Sequence, residues 1–435
     1  MSKPKQLCMA PWTHTYLSPQ TERRMCCASR ESAQSFTQYI DTNEGSGEYT
    51  PMTLDEHWNS DHMKSVRVRM MNNEKLPECE VCNDKLLNTS VYRDYFNQLF
   101  EYKYEEAMAS TDDTGYTTMK PVSWDYRFSN LCNFKCRMCG DMLSSSWETE
   151  QLQNEMVDWT NPKNSWMKPI VRNKIKEFQS DQVEQEFHQA VEEHRVEEVY
   201  WVGGEPLMYE QHWQYMPRII KLGDGQRVYA RYNTNLSRIN YRGYNLFTDI
   251  LDNLRDWQIC ASLDGTGEIG EYIRTGLVYD NWRKNYIEGC KHATHRRQMR
   301  IDFTLTLPGM FEIENIVNLA EETDTDILAK VIFSFSPDIV LSPLALPKPL
   351  LLDWIDDIIN RVGHRSNANP LVEVLSQLDN RPTFQEQWYD SWEEGLVKGK
   401  RRIEQLEKIR KDSLTLEQIL SKRKDVYDWW KSIKS

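Results

Sequence analysis

SNLCNFKCRMCG, residues 129–140, places Cys132, Cys136 and Cys139 within eight residues of a 435-residue chain that has ten cysteines in all. Thiolates at C-x3-C-x2-C spacing can ligate three irons of a cubane four-iron four-sulfur cluster. The fourth iron is then left without a protein ligand, open to a substrate or cofactor. A structural zinc site takes four protein ligands, usually as paired C-x2-C units, and no histidine lies close to this trio in the sequence. The spacing therefore predicts an iron–sulfur cluster rather than zinc.

The trio follows PVSWDYRF (121–128), the first of six strand-like runs. The others are VEEVYWVGG (196–204), RVYARYNTN (227–235), WQICASLDG (257–265), MRIDFTLTL (299–307) and KVIFSFSP (330–337), with helical stretches between them. Strands alternating with helices predict βαβ units and a parallel sheet. Strands covered by helices on both faces are apolar throughout, but here Val122, Trp124, Tyr126 and Phe128 oppose Ser123, Asp125, Arg127 and Ser129. The same alternation sets Ile259 and Ala261 against Gln258, Cys260 and Ser262, and Ile301, Phe303 and Leu305 against Asp302, Thr304 and Thr306. One wet face and one apolar face fit a curved sheet with helices outside and a polar lumen. Six strands predict an open barrel, (β/α)6, rather than the closed eight.

On the inner faces, Asp125, Arg127 and Asp302 are charged residues whose burial is costly unless they are paired or meet a substrate. Cys260 shares the face of Ser262; packing as a small buried thiol and a lumen role are both open. Beyond residue 341 the pattern turns helical and charged. Thr415 and Gln418 form a T-x-x-Q capping box, and Lys398, Lys400, Arg401 and Arg402 read as a solvated helix face. The polar run ASTDDTGYTTMKP (109–121) reads as a linker. The predicted organisation is a cysteine-rich segment at 1–115, the barrel at 116–340 and a helical extension at 341–435.

The net charge of −13 supplies no positive field for nucleic acid or an anionic membrane. The first residues lack the apolar core of a signal peptide, and no apolar run approaches the roughly 18 residues of a bilayer span. These features predict a soluble, cytoplasmic protein without membrane or nucleic-acid partners. In a reducing compartment, cysteines clustered in short motifs point to metal or redox work rather than to disulfides.

CNFKCRMC at the end of the first strand resembles the signature of the radical S-adenosylmethionine (radical SAM) superfamily, C-x3-C-x-Φ-C, with Met138 at Φ. Further motifs follow in the order that family has them. The turn Gly203, Gly204, Glu205, Pro206 resembles the GGEP element, which the resemblance assigns to the amino end of the SAM methionine. Thr234 and Asn235 stand where the family often has T-N-G, here without the glycine. Ser262, Asp264 and Arg274 match S-x-D-G followed by an arginine, and the resemblance implies that Ser262 and Arg274 contact SAM. It also implies the open barrel, reductive cleavage of SAM to a 5′-deoxyadenosyl radical, hydrogen abstraction from a substrate, and an electron donor such as flavodoxin or ferredoxin.

Cys8, the Cys26/Cys27 pair, and Cys79 and Cys82 make a second constellation. From spacing alone a C-x2-C serves zinc and iron–sulfur equally. C-x2-P-W at Cys8, a cysteine 18 residues on and a final C-x2-C are similar to the SPASM/twitch auxiliary-cluster modules, which usually follow the barrel rather than precede it. That similarity implies an auxiliary four-iron cluster on Cys8, Cys26, Cys79 and Cys82, with Cys27 as the alternative to Cys26. It also favours a peptide or protein substrate. The alternatives are a small-metabolite dehydrogenase or maturase, and a non-catalytic metal-stabilised binding protein.

Overall fold

The computed structural model describes residues 4–30, 39–40, 49–84, 92–332, 339–388 and 390–434. The chain forms two compact units, Met1–Cys132 with Asp141–Tyr232 and Asn240–Trp257, and Asn133–Gly140 with Asn233–Ile239 and Gln258–Ser435. They do not coincide with the three sequence segments.

In the first unit the parallel strands are β1 (His14–Leu17), β3 (Ser123–Tyr126), β4 (Glu198–Trp201) and β5 (Tyr229–Thr234), whose last two residues belong to the second unit. The short β2 (Arg23–Arg24) runs antiparallel to β1, giving the order β5-β4-β3-β1-β2. The cysteine-rich segment is thus built into the sheet: His14 pairs with Ser123 and Leu17 with Tyr126. Behind β3 and β4, Trp124, Phe128, Phe187 and Trp201 pack with ring centroids 5.6–5.9 Å apart, which accounts for part of the aromatic load.

A second core in this unit joins Leu7, Met9, Trp12, Met63, Met70 and Phe96 with three cysteines among them. Thr53 opens helix Leu54–Trp58 with a capping box, and Ser60 caps Asp61–Met71. The run expected to be a linker is instead an ordered turn. Gly115, at φ +83°, lets its backbone press against Lys64, where a Cβ would lie 2.1 Å from the carbonyl oxygen. Arg67 donates to the Gly115 carbonyl, and Trp12 donates to Thr111.

The second unit contains most of β6 (Asp256–Ser262), with β7 (Met299–Leu305) and β8 (Asp326–Val331) all parallel, in the order β8-β7-β6. Every strand expected from the sequence is present. The last begins earlier than anticipated, and residues 333–337 of its run lie outside the described residues. Past residue 341 the chain is helical, and the Thr415/Gln418 capping box forms. Lys400 departs from the expected solvated face: it is buried, and its ammonium donates to the carbonyls of Trp430 and Ile433, at the C-terminal end of helix Lys424–Ser432. Among the described residues no helix is long and apolar enough to cross a membrane.

Candidate active site and cysteine centres

The residues after β3 belong to two units, Cys132 to the first and Cys136 and Cys139 to the second. In the first unit, the Cys132 amide donates to Ser145 Oγ at 3.2 Å and its carbonyl accepts from Ser146 Oγ at 2.7 Å, both at the start of helix Ser145–Gln153. The glycine turn after β4 packs on the preceding residue. The Glu205 amide donates to the Leu131 carbonyl at 2.7 Å, and a Cβ on Gly204 would lie 2.3 Å from that same oxygen. Only glycine fits there. Glu205 is buried, and its carboxylate accepts from the Leu207 amide, capping the turn Pro206–Met208.

In the second unit, the cysteine loop is tied down by backbone bonds from Lys135 to Thr275 and from Arg137 to Ile273. The Cys139 amide donates to the Cys136 carbonyl at 3.0 Å. Met138, between them, is half-buried. Arg274 Nη1 lies 3.8 Å from Cys136 Sγ and its Nε lies 2.6 Å from Asp264 Oδ2. Asp264 is itself fixed by the Thr304 amide. Burial pushes the Cys136 thiol up to about 12, with the Arg274 guanidinium opposing the rise. Iron binding at such a thiol would release its proton.

Thr234 and Asn235 are buried. Thr234 Oγ1 accepts from the Leu236 amide and Asn235 donates to Asn133. Leu236 stands where the family motif has glycine, and it adopts the left-handed φ of +51° that glycine would take without strain. Ser262 is half-buried at the end of β6 and pairs in register with Asp302 of β7. Asp302 is buried and bound by Lys330 at 2.8 Å and by Asn233 at 3.1 Å, so its charge is paired. Cys260 is buried, its sulfur 4.0 Å from Gln258.

Sequence reasoning missed the residues that brace the loop. Arg137, fully buried, donates to the Tyr272 carbonyl and the Asp412 carboxylate and stacks on the Tyr272 ring with its carbon 3.7 Å from the centroid. Arg410, at the end of helix Trp392–Arg410, donates to the Lys135 carbonyl at 2.9 Å. No motif marks these contacts, two of which, Arg137 with Asp412 and Arg410 with Lys135, join residues 275 positions apart.

Cys8, Cys26, Cys79 and Cys82 line one cavity in the first unit, together with Met25, Tyr92 and Phe96. Burial pushes the Cys8 thiol up to about 12 and Cys26 well above its ordinary value, with neighbouring thiols adding to both rises. Four softly donating sulfurs in an apolar wall suit an iron–sulfur or zinc centre. Cys27 does not line this cavity. It is hydrogen-bonded to Tyr92 and lies within electrostatic reach of Asp125, Arg127 and Arg231. None of the ten cysteines, all among the described residues, is in a disulfide. Among the described residues no three His, Cys, Asp or Glu side chains converge on a single ion, a geometry that a cubane, with each thiolate on its own iron, does not require.

On the inner face, Asp125 is buried and pairs with Arg127 at 3.2 Å. Beside them is a buried network that the sequence reading did not single out. His14 Nδ1 lies 2.7 Å from Ser123 Oγ, Ser123 donates to Glu198, and Glu198 also accepts from Arg231 at 2.8 Å and Tyr95 at 3.1 Å. Burial pulls His14 down to about 4, so it is neutral at pH 7. Its signal in the sequence is a glutamate within a strand that also contains Tyr200 at the same face.

Residues 126–323 match the radical SAM superfamily, and residues 8–83 match SPASM, an iron–sulfur cluster-binding domain. Solved structures similar to the chain include Streptococcus suis SuiB bound to S-adenosylmethionine, at 14% identity and a TM-score of 0.34, covering 63% of this chain and 61% of that one. SuiB bound to precursor peptide SuiA is similar at 16% identity and a TM-score of 0.33, covering 62% and 51%. The chain spans less than two thirds of the length of these structures. A search of curated proteins gives no match. The chain carries a radical SAM domain at residues 126–323, of a superfamily whose enzymes use a four-iron cluster and S-adenosylmethionine, and an iron–sulfur cluster-binding SPASM domain at residues 8–83.

Proposed function

We propose that the chain takes a hydrogen atom from a peptide or protein substrate in the cytoplasm, with electrons supplied by a flavodoxin or ferredoxin. When bound, the cluster and SAM supply a 5′-deoxyadenosyl radical through one-electron cleavage of a carbon–sulfur bond. The observation that carries the reading is Arg274, held by Asp264 and lying 3.8 Å from the Cys136 sulfur. It links the cysteine motif to the S-x-D-G motif in one place.

The roles of the residues follow from their positions and from the family motifs. Cys132, Cys136 and Cys139, with Met138 between them, would hold three irons. Arg274 has Nη2 without an acceptor among the described residues, and it would take the methionine carboxylate. Gly203, Gly204, Glu205 and Pro206 would hold the amino end, Thr234 and Asn235 would lie near the ribose or methionine moiety, and Ser262 would contact SAM. Cys8, Cys26, Cys79 and Cys82 would hold the auxiliary cluster, with Cys26 preferred to Cys27 because Cys26 lines the cavity. Asp125, Arg127, Cys260 and Asp302 would face the substrate. The SPASM match supports a peptide or protein substrate, since that module accompanies peptide- and protein-modifying members of the family.

The test is anaerobic purification, iron and sulfide analysis, and release of 5′-deoxyadenosine on addition of SAM and dithionite. The expected result is iron at both sites and steady release, with Cys136→Ala abolishing release while the N-terminal iron stays. Zinc in place of iron, or an iron-loaded protein that never breaks the sulfonium, overturns the proposal. Deuterium transferred from a labelled peptide into 5′-deoxyadenosine would identify the substrate.

A further inference from the structure

The inner face of the first unit offers more hydrogen-bond donors than the protein consumes. Strand register sets Asp125 level with Tyr16 on one side, and Tyr200 level with Arg231 on the other, so these side chains share one face. Arg231 is sandwiched between Tyr95 and Tyr200, its central carbon 4.2 Å from each ring centroid. Its Nε is spent on Glu198, and neither Nη atom has an acceptor among the described residues. Arg127, over the Tyr16 ring at 5.0 Å, gives Nε and Nη2 to Asp125 and has Nη1 left over. Both arginine side chains are 16% exposed, while their strand neighbours Tyr126, Ala230 and Tyr232 are sealed. Glu198, which binds Arg231, also accepts from Ser123 of the strand that leads through Asp125 to Arg127, and Phe96, which lines the cysteine cavity, packs on His14 and Tyr95 of the same network, so both arginines lie on this face beside that cavity.

A guanidinium in a low-dielectric wall with unused N–H groups is costly unless something accepts from them. The acidic partners present are already committed: Glu198 accepts from Ser123, Tyr95 and Arg231, and Asp125 is bound to Arg127. Planar donors edge-on to a partly open face match a carboxylate better than any neutral group. The chain as a whole carries −13, so an anion gains nothing from its general field and needs a local receptor.

We propose that Arg127 and Arg231 form a receptor for a substrate carboxylate, beside the N-terminal cysteine cavity. The identity of the carboxylate's carrier rests on the reading above, that the substrate is a peptide or protein. Its source is an acidic side chain or a C-terminal carboxylate.

Three pools of N-acetylated random hexapeptides test this on immobilised, anaerobically reconstituted full-length protein, with retention read by mass spectrometry. The first has one Asp or Glu and an amidated C-terminus. The second replaces the acid by Asn or Gln. The third has no acidic side chain and a free C-terminal carboxylate. Retention of the first or third pool about tenfold or more above the second is expected, the scale of one charge-assisted hydrogen bond. Selective retention of the first assigns the side chain, and of the third the terminus. Arg127→Gln and Arg231→Gln should each abolish the preference. If circular dichroism shows either Gln variant unfolded, Arg127→Lys and Arg231→Lys decide, with a weakening of about tenfold expected from loss of the fork. Retention of neither the first nor the third pool above the second overturns the receptor. So does a preference unchanged in the folded variants. Absence of preference in a preparation that cleaves SAM overturns the receptor alone. A clear preference in a preparation that never cleaves SAM overturns the proposed reaction and leaves the receptor standing.

Discussion

The two cysteine centres are built in opposite ways. The N-terminal cavity draws four thiols from positions spread between residues 8 and 82 and sets three of them in the same core as Met63, Met70 and Phe96. The central motif packs three thiols into eight residues, and its loop is held by backbone bonds to residues 273 and 275 and by two arginines. In the first, tertiary packing delivers the ligands. In the second, the chain delivers them and the surroundings only aim them. Metal held at the first site would therefore be coupled to folding, and metal held at the second to chemistry.

The sharpest way to break this contrast is to remove one ligand from each centre. Cys79→Ala should cost the first unit several kcal/mol, since it removes both a core side chain and a proposed metal ligand, and should lower the melting temperature by about 5 °C or more. Cys136→Ala should abolish 5′-deoxyadenosine release with a much smaller change in melting temperature. Equal thermal losses in the two variants would mean that both metals are structural.

Acid provides a second probe of unequal units. Burial pulls His14 down to about 4, His212 to about 3 and His57 well below the ordinary value, and all three lie in the first unit. These imidazoles stay neutral in the fold, while the unfolded chain protonates below about 6.5. Their contribution is complete above that pH and is lost as pH falls toward the folded values. For His14 alone the loss at pH 5 is about 2 kcal/mol. Hydrogen exchange at pH 7 and pH 5 should show protection falling in β1 before β7. Simultaneous loss in both strands would contradict a loss centred on the first unit.

The smallest expected effect concerns the helical extension. Thr415→Ala removes the capping box and should cost about 1 kcal/mol, read by urea unfolding. SAM cleavage should be unchanged, because this cap touches neither centre.

The strands and motifs were legible because they are local. Alternation in MRIDFTLTL exposes its two faces, and C-x3-C-x2-C states its own spacing. What could not be read depends on distant partners. HTYL at 14–17 is too short to register as a strand, and it becomes one only by pairing with residues 123–126. The polar turn at 109–121 has the composition of a linker, and distant partners fix it, among them Arg67, 48 positions before Gly115, and Trp12. Cys26 and Cys27 are neighbours, so spacing cannot choose between them, whereas the fold sets Cys26 and not Cys27 in the cavity wall. Lys400 resembles its basic neighbours until two carbonyls 30 and 33 positions on are seen to claim it.

The clasp of Arg410 on the Lys135 carbonyl makes the last hundred residues inseparable from the cysteine loop. A truncation that stops after β8 would remove one anchor of the peptide immediately ahead of Cys136 and leave its bond to the Thr275 carbonyl. A partner or fusion pulling on helix Trp392–Arg410 would have a mechanical handle on the same peptide.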